Sequence, residues 1–168
     1  YPHNKVYAVD SLAASMGQGL IVYHAAELKE QGKTIDEVKK WVEENRLRLC
    51  HWFTVDDLKY LKRGGRISPT TAFVGTLMGI KPILHVDDAG HLVPISKIRG
   101  RLHSIEEIFR HMKETVEDPE NQVIFIGHGD CPDDADYLER LVRKEWKVRD
   151  VVTNYIDATI GAHSGPGT

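Results

Sequence analysis

Ile80-Lys81-Pro82-Ile83-Leu84-His85-Val86 is followed by Asp87-Asp88-Ala89-Gly90 and then by a second β-type run over residues 92–98. Two such runs around a short acidic turn with glycine near its end make a hairpin signature. A hairpin is antiparallel, so the chain does not read as a purely parallel, doubly wound sheet. Upstream, residues 5–9 read as a strand. Leu20, Ile21, His24, Ala25 and Leu28 then recur at helical spacing until Gly32. Thr34 with Glu37 forms a capping box for a second helix, and residues 51–55 read as a strand. Asp56 is placed to cap a short helix through Leu58 and Leu61 that Gly64 stops, and Ser68-Pro69 opens a helix through Phe73, Val74, Leu77 and Met78.

Downstream of the hairpin, Ser104 with Glu107 is a second capping box, for a helix to about Val116. Residues 123–126 read as a buried strand. Asp130-Cys131-Pro132 is expected to cap a helix through Leu138, Leu141 and Trp146, and residues 148–156 form the last strand. Strands and helices interleave around one hairpin. The expected class is α/β with α+β character, a mixed sheet with helices.

Composition narrows the function. The chain has 168 residues, enough for one domain or one and a fragment. Apolar residues make up 41%, too many for a disordered chain. Basic and acidic residues number 22 and 25, with both signs spread along the chain, so there is no electrostatic footprint for nucleic acid. The apolar runs are too short to span a bilayer, so no transmembrane segment is expected. Cys50 and Cys131 are far apart, which fits a reduced, cytoplasmic compartment, and Cys50 is expected to be a buried structural thiol.

Two glycine-rich stretches could carry chemistry. In Lys62-Arg63-Gly64-Gly65-Arg66-Ile67-Ser68, the glycines let backbone N–H groups approach an anion and Arg66 offers a forked donor. The same residues also read as a helix C-cap with Arg66 in a structural ion pair. In Ile160-Gly161-Ala162-His163-Ser164-Gly165-Pro166-Gly167-Thr168, a histidine and a serine sit among small residues after a strand, either as a site loop or as an exposed turn. His128 lies near several aspartates, but Asp130 fits better as an N-cap and Asp133 and Asp134 as first-turn acids, so no metal site is expected. Ser15-Met16-Gly17-Gln18-Gly19 lacks the context of a phosphate loop. His24 reads as a core or tunnel-wall residue, and the cluster Lys97-Ile98-Arg99-Gly100-Arg101 as a solvated strand end or a partner contact.

Several of these stretches, in this order, resemble the DegV family. They are Val9-Asp10-Ser11 with Gly17-Gln18-Gly19; residues 57–67, ending in Gly64-Gly65-Arg66-Ile67; Ile80-Lys81-Pro82-Ile83-Leu84 leading to Lys97-Ile98-Arg99-Gly100; and the closing residues 161–168. The resemblance implies a lipid-binding protein rather than an enzyme, the fatty-acid-binding subunit of bacterial fatty acid kinase. It implies a long-chain fatty acid as ligand, no cofactor, no metal, and an ATP-dependent kinase subunit as partner that forms acyl-phosphate. A distant likeness to dihydroxyacetone kinase keeps a second possibility open, an enzyme acting on a phosphorylated small molecule through the glycine-rich loops; a non-catalytic protein-interaction domain is the third.

The family is two-lobed, and the resemblance covers only its last three-fifths. Residues 1–48 would be the end of the first α/β lobe and residues 49–168 most of the mixed-sheet second lobe, with the carboxylate-binding hydroxyls on the missing part. Carried over by position, Arg66 and His163 would form the basic pair beneath the carboxylate and lie close together. Arg99 would face the kinase. Ile67, Phe73 and Leu77 are candidate lipid contacts, although core packing accounts for such residues equally well.

Overall fold

The computed structural model describes residues 4–68 and 79–168. Its helices are α1 (Ser15–Glu30), α2 (Ile35–Asn45), α3 (Lys59–Arg63), α4 (Arg101–Thr115), α5 (Pro132–Glu145) and α6 (Ala158–Ser164). Its strands are β1 (Trp52–Thr54), β2 (Ile80–Val86), β3 (Leu92–Arg99), β4 (Val123–His128) and β5 (Asp150–Tyr155). The expected helix at Phe73, Val74, Leu77 and Met78 lies outside the described residues, and so do two of the candidate lipid contacts, Phe73 and Leu77.

The fold is mixed α/β. β1, β2 and β3 form an antiparallel sheet in that order, while β4 and β5 form a parallel pair. The hairpin closes where its sequence predicts: the Asp87 carboxylate accepts from the N–H groups of Ala89 and His91, and Gly90 takes φ +81°. Ile83 pairs with Ser96 and Leu84 with Pro94, so Ile95 bulges out of register and its side chain is exposed. α5 connects β4 to β5 and packs on both, as a parallel pair requires.

Two apolar clusters hold these layers. Val55, Leu58, Leu61, Ile67 and Leu84 pack between the antiparallel sheet and α3. Ile126, Ala135, Val142 and Val151 pack beneath α5, joined by Phe109, Leu138 and Trp146. α1 lies on β4, where Tyr23 meets Phe125 edge-on and Glu27 pairs with Arg149 at 2.9 Å.

Four local expectations are corrected. Residues 5–9 are not a strand: Val6 and Tyr7 are exposed, and Lys5 and Tyr7 reach Asp36 at the start of α2. β-propensity needs a neighbouring strand to act on, and the described residues give this run none. Ser104 does not start a helix, because α4 begins at Arg101, after Gly100 at φ +92°; Ser104 is buried and its hydroxyl donates to the Arg101 carbonyl. Cys131, not Asp130, is the N-cap of α5, and Asp130 takes a left-handed φ of +58° in the preceding turn. Cys50 is exposed rather than buried, on the segment just before β1. The Thr34–Glu37 capping box forms as read, with both reciprocal hydrogen bonds.

Candidate functional site

The first glycine-rich stretch is the end of α3. The Arg66 N–H donates to the Leu61 carbonyl at 2.8 Å, and the Gly65 N–H donates to the Lys62 carbonyl at 3.0 Å. With Gly65 at φ +71°, this is a Schellman closure, and Ile67 drops into the core beside Leu61 as its apolar seal. The Gly64 N–H is also spent, on the Tyr60 carbonyl. The backbone amides of residues 64–66 therefore serve the helix and cannot cradle an anion. The Arg66 side chain is exposed, and its Nη1 donates to the Gly64 carbonyl at 2.7 Å; among the described residues it forms no ion pair.

The second stretch is a helix for half its length. Asp157 caps α6 by accepting from the N–H groups of Thr159 and Ile160, and His163 falls in its last turn. The expected loop begins only at Gly165, which takes φ +83°. Glycine signalled a loop here, but Gly161 sits in the helix with open space around it, so a strong cap and the C-terminal turn outweigh one poor helix former.

These two stretches meet. α3 packs against α6, and the His163 ring covers Gly64 so closely that a β-carbon there would stand 2.1 Å from Nδ1. Arg66 and His163 thus converge on one glycine, Arg66 at its carbonyl and His163 over its α-carbon. His163 is half-buried, and its Nδ1 is shut from solvent with no hydrogen-bond partner among the described residues. Beyond it, Tyr60 lies where a Gly165 side chain would be, and the Asp56 carboxylate where a Gly167 side chain would be. Arg99 is exposed at the end of β3.

Sequence reading missed the residues behind this junction. Asp56 does not cap α3: the N-cap is Leu58, which has no side-chain cap bond, and the Lys59 N–H is taken by Asp57 at 2.8 Å. Asp56 instead receives Lys81 Nζ at 2.6 Å, with Arg101 Nη1 3.7 Å away, and Arg101 Nε donates to Asp134 at 2.7 Å. The signal was available: Lys81 is a lone charge inside an apolar strand, and a cation there has to find a partner.

The remaining candidates are accounted for. Ser15-Met16-Gly17-Gln18-Gly19 lies in α1, with Gly17 pressed under the His51 ring. His24 pairs with Glu27 at 3.1 Å beside Trp41. His128 is buried against the Tyr155 ring. Among the described residues no cluster of His, Cys, Asp and Glu could hold a metal ion, and no helix is long and apolar enough to cross a membrane. A cavity of about 220 Å³ lies elsewhere, lined by Trp52, His51 and His85 among others.

Comparison with known proteins places the chain. All of residues 1–168 match the family described as "Uncharacterised protein, DegV family", and the chain belongs to it. A DegV domain-containing protein of Clostridium perfringens is 48% identical over 168 residues, covering all of this chain and 58% of that protein. The chain thus spans somewhat over half the length of the curated relatives it matches. A fatty-acid-binding DegV family protein from Thermus thermophilus is 32% identical. It has a TM-score of 0.84 and covers 98% of this chain and 59% of its own. The B3 protein of Streptococcus pneumoniae fatty acid kinase, loaded with linoleic acid, is 19% identical with a TM-score of 0.89. It covers 99% of this chain and 58% of its own, a likeness of fold alone.

Proposed function

We propose that this chain is part of a fatty-acid-binding protein that presents the acid's carboxylate to a separate ATP-dependent kinase subunit, which phosphorylates it to acyl-phosphate. The observation that carries the reading is the convergence of Arg66 and His163 on Gly64. A carboxylate taken out of water must be neutralised or hydrogen-bonded. An arginine fork with donors to spare, and the Nε2 of an imidazole whose Nδ1 packs on Gly64, are the groups proposed to supply that need together. The fatty acid binding named for the Thermus thermophilus relative supports the ligand class.

In this reading residues 1–48 end the first lobe and residues 49–168 form most of the second. Ile67 anchors the Arg66 turn in the core, Phe73 and Leu77 are proposed walls of the lipid site, and Arg99 meets the kinase. This protein does no bond-making: it orients the carboxylate and keeps water from the acyl-phosphate. The phosphate-binding enzyme reading is weaker, because the amides it needs are engaged in closing α3.

The test is a chimera joining this chain to the portion of the Clostridium perfringens relative outside the match. Lipid extraction and mass spectrometry of the purified chimera should yield one long-chain fatty acid per protein, and the Arg66→Ala, His163→Gln double variant should lose it. A chimera that folds but carries no lipid and binds no added palmitate overturns the reading.

A further inference from the structure

The glycine-rich end of the chain is held from two sides. On one side the Gly167 N–H donates to the Gly129 carbonyl at 2.7 Å, and the Gly129 N–H donates to the Thr168 carbonyl at 3.0 Å. On the other side lies Asp56, whose Cγ stands 2.6 Å from the place of a Gly167 β-carbon. Only a glycine, at φ +76°, lets the backbone pass this close to the carboxylate.

Asp56 is itself fixed. Lys81, whose side chain is only 17% exposed, holds it from β2, and Arg101 approaches it from the first residue of α4. Arg101 is in turn bound to Asp134 in the first turn of α5, and its Nη2 reaches the Cys131 sulfur. Two carboxylates and two cations, from a strand, two helices and the β1–α3 connection, thus balance, and Asp56 touches the terminal segment. Asp56 also lies in the connection from β1 to α3, which leads to Gly64. One side chain therefore sits between the two backbones that carry Arg66 and His163.

We propose that Asp56 is a positioning residue of the candidate site: by holding the terminal glycine segment, it sets where His163 stands relative to Gly64 and Arg66. The inference deepens the fatty-acid reading and rests on it for its meaning. It predicts that the negative charge matters beyond the shape, because an amide in its place no longer draws in Lys81 and Arg101 and frees both cations beside the terminal backbone.

The test uses the imidazole Cε1–Hε1 signals of the 168-residue chain, with the His163 signal assigned by its loss in His163→Gln. In Asp56→Asn the His163 signal should move, while those of His24 and His51 stay. In Lys81→Met, which removes the nearer partner but keeps the carboxylate, the same signal should move in a folded protein even if Asp56→Asn fails to fold. Asp56→Asn in the chimera should weaken palmitate binding at least tenfold. An unmoved His163 signal in the folded variants overturns the proposal, and so does a shift shared by His24 and His51, which marks general loosening. A chimera without lipid affinity overturns the fatty-acid reading but leaves the histidine signals to decide the role of Asp56.

Discussion

The imidazole of His163 stands over Gly64, its Nδ1 2.1 Å from the place where that glycine's β-carbon would be. Gly64 has a φ of −74°, which any residue can adopt, so it is required by the ring above it and not by its own backbone. Gly64→Ala should therefore displace His163 and cost about 1–3 kcal/mol in urea denaturation. Gly65→Ala separates the two causes. Its φ is +71° with nothing within 4 Å, so it should cost about 1–2 kcal/mol through strain and leave the His163 signal in place.

Arg66 and Ile67 are neighbours with opposite roles. Ile67→Ala empties a core position, and a loss of about 2–5 kcal/mol is expected. Arg66→Ala, at an exposed side chain, should change stability by no more than about 0.5 kcal/mol, yet lower the palmitate affinity of the chimera. Equal stability losses in thermal or urea melts would contradict this division.

Stability should fall with acid through His51. Burial, with the charge of His85 second, lowers its pKa from 6.5 to about 4. The folded state holds the ring neutral over Gly17 while the unfolded chain protonates it, so below pH 6.5 the unfolded state binds more protons. The contribution is full above that pH and is lost progressively down to about pH 4, a loss of up to about 3 kcal/mol. His51→Gln should flatten the dependence of urea midpoints on pH in this window.

Lipid affinity should depend on the length of the protein. If the carboxylate hydroxyls and one wall of the site belong to the first lobe, the 168-residue chain binds palmitate far more weakly than the chimera. Hydrophobic burial contributes about 0.8 kcal/mol per methylene, and a half-covered acyl chain forfeits much of it. Calorimetry showing tight, saturable binding of one palmitate per 168-residue chain would assign the whole site to residues 1–168.

Arg99 is exposed at the end of β3, where it pairs with Ile80 of β2. Arg99→Ala in the chimera should leave palmitate binding intact and reduce acyl-phosphate formation with the kinase subunit, by less as salt rises and screens the lost charge. Unchanged turnover across kinase concentrations would remove Arg99 from the interface.

The hairpin, the Thr34–Glu37 cap, the α3 stop and the α5 pattern were legible because each rests on neighbours in sequence. What failed was set by distant partners. The run at residues 5–9 had strand propensity but no strand beside it. Asp56 looked like a cap because it stands just ahead of α3, while the partner that holds it, Lys81, is far away in sequence. Of the site, the two glycine stretches were visible as stretches. That Gly64 is a floor for His163, and that the amides beside it close a helix, follows only from packing.

The reciprocal bonds between Gly129 and residues 167 and 168 are a clasp between segments distant in sequence, made after α5, β5 and α6 have been laid down. Such contacts come late in folding, since their loop must close before they return any energy. The clasp is also small, so it can release without melting the sheets. The amides of Gly129 and Gly167 should then exchange with deuterium by a local opening, well ahead of those in β2.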